Sequence, residues 1–364
     1  MRKILVFVLA MLMIVGLVSC GAGSSKIEYT DPSTGEKQEV VIQKTEDEKE
    51  VSQSLYAMSM TEKAAKNPTT SSVKATVTSK GEVKDVGSFD VKAEAEASLS
   101  YKGETAPKTT FEALDNIDLY LKVSVSGKIP NQDKETVALN DSSIELFLEN
   151  GVAYAKIALD AKIANLISAG SEQAAGVGET IKMFNDKTLK IDLKTLMSEE
   201  RLDEEQQAQF ELLLNGKEVK IRDLIPEDAQ KELKENLDTL VEKLHLTITN
   251  VSGTKVTYTA DLKAILDEQG KDEGDPAEGA PVEMEDKLSE GTVSVTIDTK
   301  DLSIVSLKAS AKADDEDVKI DFNADVTCSY TASVGKISDD DKTAAVDLMT
   351  MMGNLFGGQG PSYK

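Results

Sequence analysis

Residues 89–101 of the chain read FDVKAEAEASLSY, and this stretch decides the fold. Every second position from Phe89 to Tyr101 carries an apolar or small side chain, and the intervening positions from 90 to 96 are all charged. A period of two is typical of a β-strand with one dry face and one wet face. The predicted strand is about 13 residues long, whereas most strands have about 5 or 6.

The row contains three small side chains, Ala93, Ala95 and Ala97. Alanines on the inner face of a sheet leave room, either for a ligand or for a closely packed helix. The packed helix is the ordinary outcome, because protein cores normally fill their space. The sequence alone leaves both alternatives open.

The same period recurs along the rest of the chain. Further strands are predicted over residues 73–78, 117–125, 144–148, 152–157, 189–193, 246–251, 256–260, 293–297, 305–311 and 318–330. Asn150–Gly151 lies between two of these strands and predicts a tight hairpin, and Ser252–Gly253 predicts a second one. Helices are predicted over residues 46–66, 198–214, 226–244 and 339–355.

These elements predict an α+β fold: a large curved antiparallel β-sheet, in the form of an unclosed half-barrel, covered by a few helices. Strands with one dry face need a cover, and the amphipathic helices can supply it. The predicted organisation is a signal peptide over 1–19, a flexible tether over 20–43, a single antiparallel-sheet-plus-helices domain over 44–355 and a tail over 356–364.

The N-terminus has the layout of a secretory signal peptide. Arg2 and Lys3 precede an apolar run over residues 4–18, which is short for a membrane span of about 20 residues. The following Leu17–Cys20 segment, LVSC, resembles the lipobox of bacterial lipoproteins. That resemblance implies export by the general pathway, a diacylglycerol on Cys20 and a lipid-anchored protein on the outer face of the cell membrane. The alternative is an ordinary signal peptide with an incidental cysteine.

The composition disfavours two classes of function, nucleic-acid binding and sugar binding. The formal net charge of -24 disfavours nucleic acid as a partner. There is no tryptophan and only 4% of residues are aromatic, which disfavours a sugar-binding module built on aromatic platforms.

The sequence offers no catalytic, metal or cofactor site. His245 is the only histidine, and with Cys20 lipidated Cys328 has no partner for a disulfide. A histidine-based nucleophile system and a zinc site are therefore disfavoured. The acidic run over residues 270–287 predicts an exposed solvated loop, with weak calcium binding as the alternative.

The lipobox, the tether, the alternating strands and the hairpin over Leu146–Tyr154 resemble a group of Gram-positive extracytoplasmic lipoproteins. Their fold is similar to that of the lipoprotein carriers and the mycobacterial glycolipid carriers, an unclosed half-barrel over helices. The resemblance covers roughly residues 45–350 and implies a cavity for acyl chains between sheet and helices. The candidate lining residues are Phe89, Val91, Ala93, Ala95, Ala97, Leu99, Leu119, Leu121 and Val123.

The leading hypothesis is a non-enzymatic lipoprotein that binds or carries a lipid or another hydrophobic ligand. A structural or interaction module of the cell envelope, which binds a protein partner through a strand edge or its acidic face, is the alternative. A third hypothesis is a hydrolase that uses acidic residues.

The methionine-rich segment over residues 349–356 is expected to pack against the sheet or to close the cavity as a lid.

Overall fold

A computed structural model of the protein describes residues 26–31, 34–62, 65–66, 70–130, 136–162, 183–211, 214, 218–220, 222, 225, 227–265, 288–314, 317–330 and 333–355. The predicted signal peptide, Cys20, the acidic run over 270–287 and the predicted tail over 356–364 lie outside the described residues.

The described residues form sixteen strands. They are β1 Lys26–Thr30, β2 Lys37–Val41, β3 Ala65–Lys66, β4 Ser71–Val83, β5 Gly87–Tyr101, β6 Ile117–Pro130, β7 Thr136–Glu149, β8 Val152–Ala158, β9 Lys187–Asp192, β10 Glu218–Val219, β11 Thr247–Ser252, β12 Lys255–Asp261, β13 Leu288–Asp298, β14 Ser303–Asp314, β15 Val318–Ser329 and β16 Val346–Asp347. One open sheet has 12 strands in the order β11-β12-β13-β14-β15-β4-β5-β6-β7-β8-β9-β16. The predicted α+β class with a large, open and mostly antiparallel sheet is confirmed.

The α-helices with bounds in the described residues contain 6 to 17 residues. They are α1 Glu48–Met60, α2 Thr110–Asn116, α3 Glu204–Glu211, α4 Glu227–Lys243, α5 Asp339–Ala344 and α6 Leu348–Leu355. Helix α1 begins at Asp47, whose side chain accepts hydrogen bonds from the backbone N–H groups of Lys49 and Glu50. A 3₁₀ turn over Leu193–Thr195 follows β9.

The chain divides into two compact units. Unit one comprises Met1–Pro68, Ser79–Lys84 and Asn215–Cys328, and unit two comprises Thr69–Thr78, Asp85–Leu214 and Ser329–Lys364. The prediction of a single domain over residues 44–355 stays a prediction.

Unit one is built around helix α1. This helix packs against α4 and against the β1–β2 hairpin, and its Val51 is fully buried. Below it, the buried Tyr258 of β12 has its hydroxyl 2.7 Å from Ser54 Oγ, and burial raises the pKa of that phenol. Ser52 donates a hydrogen bond to the Asp238 carboxylate of α4.

The tether predicted over residues 20–43 is wrong from residue 26 onward. Strands β1 and β2 pair as an antiparallel hairpin with Ile27 opposite Val40. Both side chains are buried in the core of unit one together with Tyr29 and Ile42. Apolar burial therefore fixes this segment.

Unit two is built from long antiparallel strands. Strands β5, β6 and β7 contain 15, 14 and 14 residues, and β8 and β9 continue the series. The two-residue strand β16 runs parallel to β9 at the edge of the sheet. The predicted hairpin between β7 and β8 is confirmed: φ is 51° at Asn150 and 79° at Gly151, as a type I′ turn requires.

Gly127 marks an irregularity in β6, where the register with β7 shifts. Its φ is 137°, and a Cβ atom there would lie only 2.1 Å from the Asp90 carbonyl oxygen. We expect Gly127→Ala to destabilise the protein by about 2 kcal/mol or more, since the strained backbone and the steric clash add. Gly253→Ala is the control. Its φ is 61°, but nothing lies within 4 Å of the new Cβ, so we expect only the backbone cost of about 1 kcal/mol and no cost from a clash. Urea unfolding of both variants measures the difference, and equal losses would contradict the clash.

Candidate functional site

The register of unit two brings one apolar row from each strand onto a single face of the sheet. Ala97 of β5 lies opposite Leu121 of β6, Leu121 lies opposite Leu146 of β7, and Leu146 continues through Ala155 of β8 to Leu189 of β9. Rows on either side repeat the arrangement. We call this surface the apolar face; its members are Ala93, Ala95, Ala97, Leu99, Leu119, Leu121, Val123, Val125, Ile144, Leu146, Leu148, Ala153, Ala155, Ile157, Leu189 and Ile191.

The nine predicted lining residues all lie on this side of strands β5 and β6. Three of the pairs are Ala95 with Val123, Ala97 with Leu121, and Leu99 with Leu119. Val91 lies further along β5, opposite Gly127, and Phe89 precedes it. The structure shows that strands β7, β8 and β9 also contribute residues to the apolar face. That the nine residues line a ligand cavity stays a prediction.

The apolar face is only partly covered. Leu119, Val123, Ile144 and Leu146 keep 39%, 40%, 41% and 41% of their surface exposed. The alanines of β5 are half-buried. The four exposed aliphatic side chains lie on the two adjacent strands β6 and β7, and a contiguous exposed apolar patch of this kind often contacts a ligand or a partner.

Standard sheet geometry gives the size of the patch. Five strands at a spacing of about 4.8 Å make the apolar face about 20 Å wide, and the step from Ala93 to Leu99 makes it about 20 Å long. The resulting footprint of about 400 Å² includes the buried Leu189 and the half-buried alanines of β5, so the well-exposed part, over β6 and β7, is roughly half of it.

Part of the opposite side of the same strands is covered. Tyr120, Phe147 and Tyr154 form one row there, which we call the aromatic face. Phe147 and Tyr120 are buried together with Ile337, and Val334 and Tyr154 pack against them. Burial raises the pKa of Tyr120 to about 12, and the neighbouring Glu145 carboxylate adds to the shift. The cover is the segment over residues 334–342, which we call the strap.

Gly335 fits the strap to the sheet. Its backbone N–H donates a hydrogen bond of 3.0 Å to Ser98 Oγ of β5. A Cβ atom on Gly335 would lie 2.3 Å from the Tyr120 ring. A glycine is therefore required for the strap to lie flat on the aromatic face. Sequence reasoning missed this contact, because a lone glycine in a segment without apolar periodicity gives no signal.

Two ion pairs fasten the end of the strap. Lys156 Nζ lies 2.7 Å from Asp341 Oδ2, and Lys342 Nζ lies 2.7 Å from Glu149 Oε2. The Lys342 ammonium also lies over the Phe147 ring, 4.6 Å from its centroid. The hydrogen bond from Lys342 lowers the pKa of Glu149. The hydrogen bond from Lys156 lowers the pKa of Asp341.

The lowered pKa values of Glu149 and Asp341 predict that the strap is held less stably on the sheet at acidic pH. A carboxylate whose pKa is lowered in the folded state stabilises that state above its ordinary pKa and loses the contribution as the pH falls through the lowered value. For Glu149 and Asp341 the loss therefore lies below their ordinary values of 4.5 and 3.8. We expect amide hydrogen exchange in residues 334–342 to speed up, relative to the intrinsic rate, as the pH falls from 5 to 3. In Lys342→Gln the dependence should be weaker, and an unchanged dependence would contradict the assignment.

A third lysine–carboxylate pair lies at the end of β6. Asp118 is buried, and its Oδ2 lies 2.7 Å from Lys102 Nζ. Its Oδ1 has no hydrogen-bond partner among the described residues. With one oxygen paired to Lys102, the group has the character of a structural ion pair.

The other residues considered for chemistry are dispersed. His245 lies at the turn between α4 and β11 with a φ of 44°, and Cys328 is half-buried near the end of β15. Within the described ranges, no group of three or more histidine, cysteine or acidic side chains is placed to hold a metal ion. No helix in these ranges is long and apolar enough to cross a membrane.

Comparison with known proteins gives no family assignment. No protein-family model matches the chain, and no curated protein has a similar sequence.

Proposed function

We propose that the protein is a lipid-anchored extracytoplasmic lipoprotein that binds a lipid or another hydrophobic ligand on the apolar face of unit two. In this proposal the protein holds its ligand and catalyses no reaction. Cys20 carries the membrane anchor, and the folded chain lies on the outer side of the cell membrane. The lipobox-like LVSC segment at Leu17–Cys20 supports the anchor.

The observation that carries the ligand proposal is the exposure of Leu119, Val123, Ile144 and Leu146 on one face. Removing apolar surface from water stabilises a complex by about 25 cal/mol per Å². An exposed patch of about 200 Å² can therefore contribute about 5 kcal/mol of gross stabilisation. Burial of the ligand's own apolar surface adds to this figure, and the cost of association reduces it.

The chemistry of the apolar face favours an aliphatic ligand. Its members are alanine, valine, leucine and isoleucine, which offer few polar groups for fixing a polar molecule. The alanines of β5 project less from the sheet than the larger side chains of β6 and β7, so the surface has a depression there. An acyl chain needs only apolar contact and can follow such a depression.

A protein partner is the second candidate function. Leu196 and Met197, which follow the 3₁₀ turn after β9, are also exposed. They add apolar surface at the end of β9, and methionine adapts to irregular partners. An interaction module of the cell envelope would use this surface together with the apolar face.

Native mass spectrometry of residues 21–364, purified from cells without detergent, tests the proposal. We expect a population whose mass exceeds that of the polypeptide by one phospholipid or glycolipid, and we expect organic extraction to remove it. A bare polypeptide mass that stays unchanged when lipid is offered would reject ligand binding. The interaction module would then be the better proposal, and cross-linking to envelope proteins would be the next step.

A further inference from the structure

The strap crosses the aromatic face from β5 to β8. Gly335 is hydrogen-bonded to Ser98 of β5, and Ile337 packs on Tyr120 and Phe147 of β6 and β7. Lys342 ends the crossing, with its ammonium 5.9 Å from the centre of the Tyr154 ring of β8. The strap thus ties four neighbouring strands together on the side opposite the apolar face.

Beyond the strap, the chain reaches the edge of the sheet. Strand β16 pairs with β9, and its Val346 lies opposite Leu189. Leu189 belongs to the apolar face, since it continues the row of Leu146 and Ala155. Helix α6 begins at Leu348, directly after β16.

Burial differs along that row. Leu189 is only 7% exposed, whereas Leu146, two strands away in the same row, is 41% exposed. Helices α5 and α6 both contact β9, and so does β16, whose Val346 lies opposite Leu189. Helix α5 carries Asp341, whose partner Lys156 lies on the aromatic side. Of these two helices, α6 is therefore the candidate cover for Leu189 on the apolar side.

We propose that the strap is a latch that holds α6 over the β9 edge of the apolar face, and that release of the latch uncovers this edge for a hydrophobic ligand. The proposal rests on the proposed function, because it assigns a regulated entrance to the same surface. The two faces of the sheet are linked through β16, which joins the strap to the helix.

The contacts that hold the latch closed are few and individually weak, so it can open. Its apolar anchors in the described residues are Val334 and Ile337. The ion pairs of Lys156 and Lys342 are partly exposed, and such pairs stabilise a structure by little each. Strand β16 contributes two paired residues. Segments with few buried contacts open locally at lower free energy than the core of a protein does.

The double variant Lys156→Gln/Lys342→Gln tests the latch. It removes both ion pairs and leaves every residue of the apolar face unchanged. Lys122→Gln is the matched control, because Lys122 makes a similar ion pair, 2.9 Å from Glu145, on the same side of the sheet. If the double variant fails to fold, Asp341→Asn removes one latch contact and leaves the Lys342 ammonium on its rings.

Stopped-flow mixing with a fluorescent long-chain fatty acid gives the first readout. We expect association to the double variant to be at least about threefold faster than to wild type and the control, since the rate follows the population of the open state. Equal association rates in all three proteins would overturn the proposal.

Hydrogen exchange gives a second readout that needs no ligand. The amides of residues 187–192 and 346–355 should exchange about tenfold faster in the double variant, while those of β6 stay unchanged. If wild type binds no probe but these amides respond, the ligand proposal fails and with it the role of the latch as an entrance, whereas the hold of the strap on α6 stands. If wild type binds the probe and these amides do not respond, the latch fails and the ligand proposal stands.

Discussion

Replacing Phe147 by alanine destabilises the protein by about 3–5 kcal/mol in our account. Phe147 is among the largest fully buried side chains of the described residues, and it contacts both the strap and the sheet. Its ring packs with Tyr120 and Ile337 and lies under the Lys342 ammonium. Truncation leaves a cavity and removes the surface on which the strap rests. Urea unfolding at neutral pH measures the loss.

Phe89→Ala is the control for that prediction. Phe89 is also an aromatic residue of a long strand, but it is only half-buried on the other side of the sheet. We expect a loss of about 1–2 kcal/mol there, in proportion to the smaller apolar area removed from contact. Losses of stability of the same size in both variants would contradict a stabilising contribution from the contacts between the strap and Phe147.

A glutamate at Val123 is expected to reduce binding of an aliphatic ligand at least tenfold, with a change in stability below about 1 kcal/mol. Val123 lies near the centre of the apolar face and is 40% exposed, so the free protein can keep the new carboxylate in water. A bound acyl chain would desolvate that carboxylate, and an unpaired buried charge is costly. A tenfold loss corresponds to about 1.4 kcal/mol.

Val41→Glu provides the matched control. Val41 is an exposed valine of β2 in unit one, so the substitution and the change in net charge are the same. Titration of a fluorescent long-chain fatty acid into each variant gives the dissociation constants, and thermal unfolding gives the stabilities. Equal affinities for the two variants would place the ligand elsewhere than the apolar face.

The strands were the most predictable part of the molecule. The period of two between Phe89 and Tyr101 identified β5, whose bounds are Gly87–Tyr101, because charged residues on the wet side alternate with apolar ones on the dry side. The Asn150–Gly151 turn was predictable for a local reason, since two consecutive positive φ angles favour these residues.

The hairpin in unit one was missed. Ile27 and Tyr29 alternate with Lys26 and Glu28 as strand residues do, but the run is short and turn-forming residues follow it. Its burial depends on helix α1, which comes later in the chain. Short strands fixed by distant partners lack a clear local signal.

The aromatic face and the strap could not be derived from the sequence pattern. Phe147 stands between Leu146 and Leu148, so an unbroken apolar run hides the fact that its two sides face different surroundings. The helix predicted over residues 339–355 is split, because Val346 and Asp347 pair with β9. That pairing is a tertiary contact, and helical periodicity does not reveal it.

The most direct test of the central claim is photo-cross-linking with a long-chain fatty acid that carries a diazirine along its chain. After irradiation of the wild-type complex and proteolysis, mass spectrometry locates the labelled residues. We expect labels within 93–99, 119–125 and 144–148, in three of the strands that form the apolar face. Saturable labelling confined to other segments, or no saturable labelling at all, would contradict it.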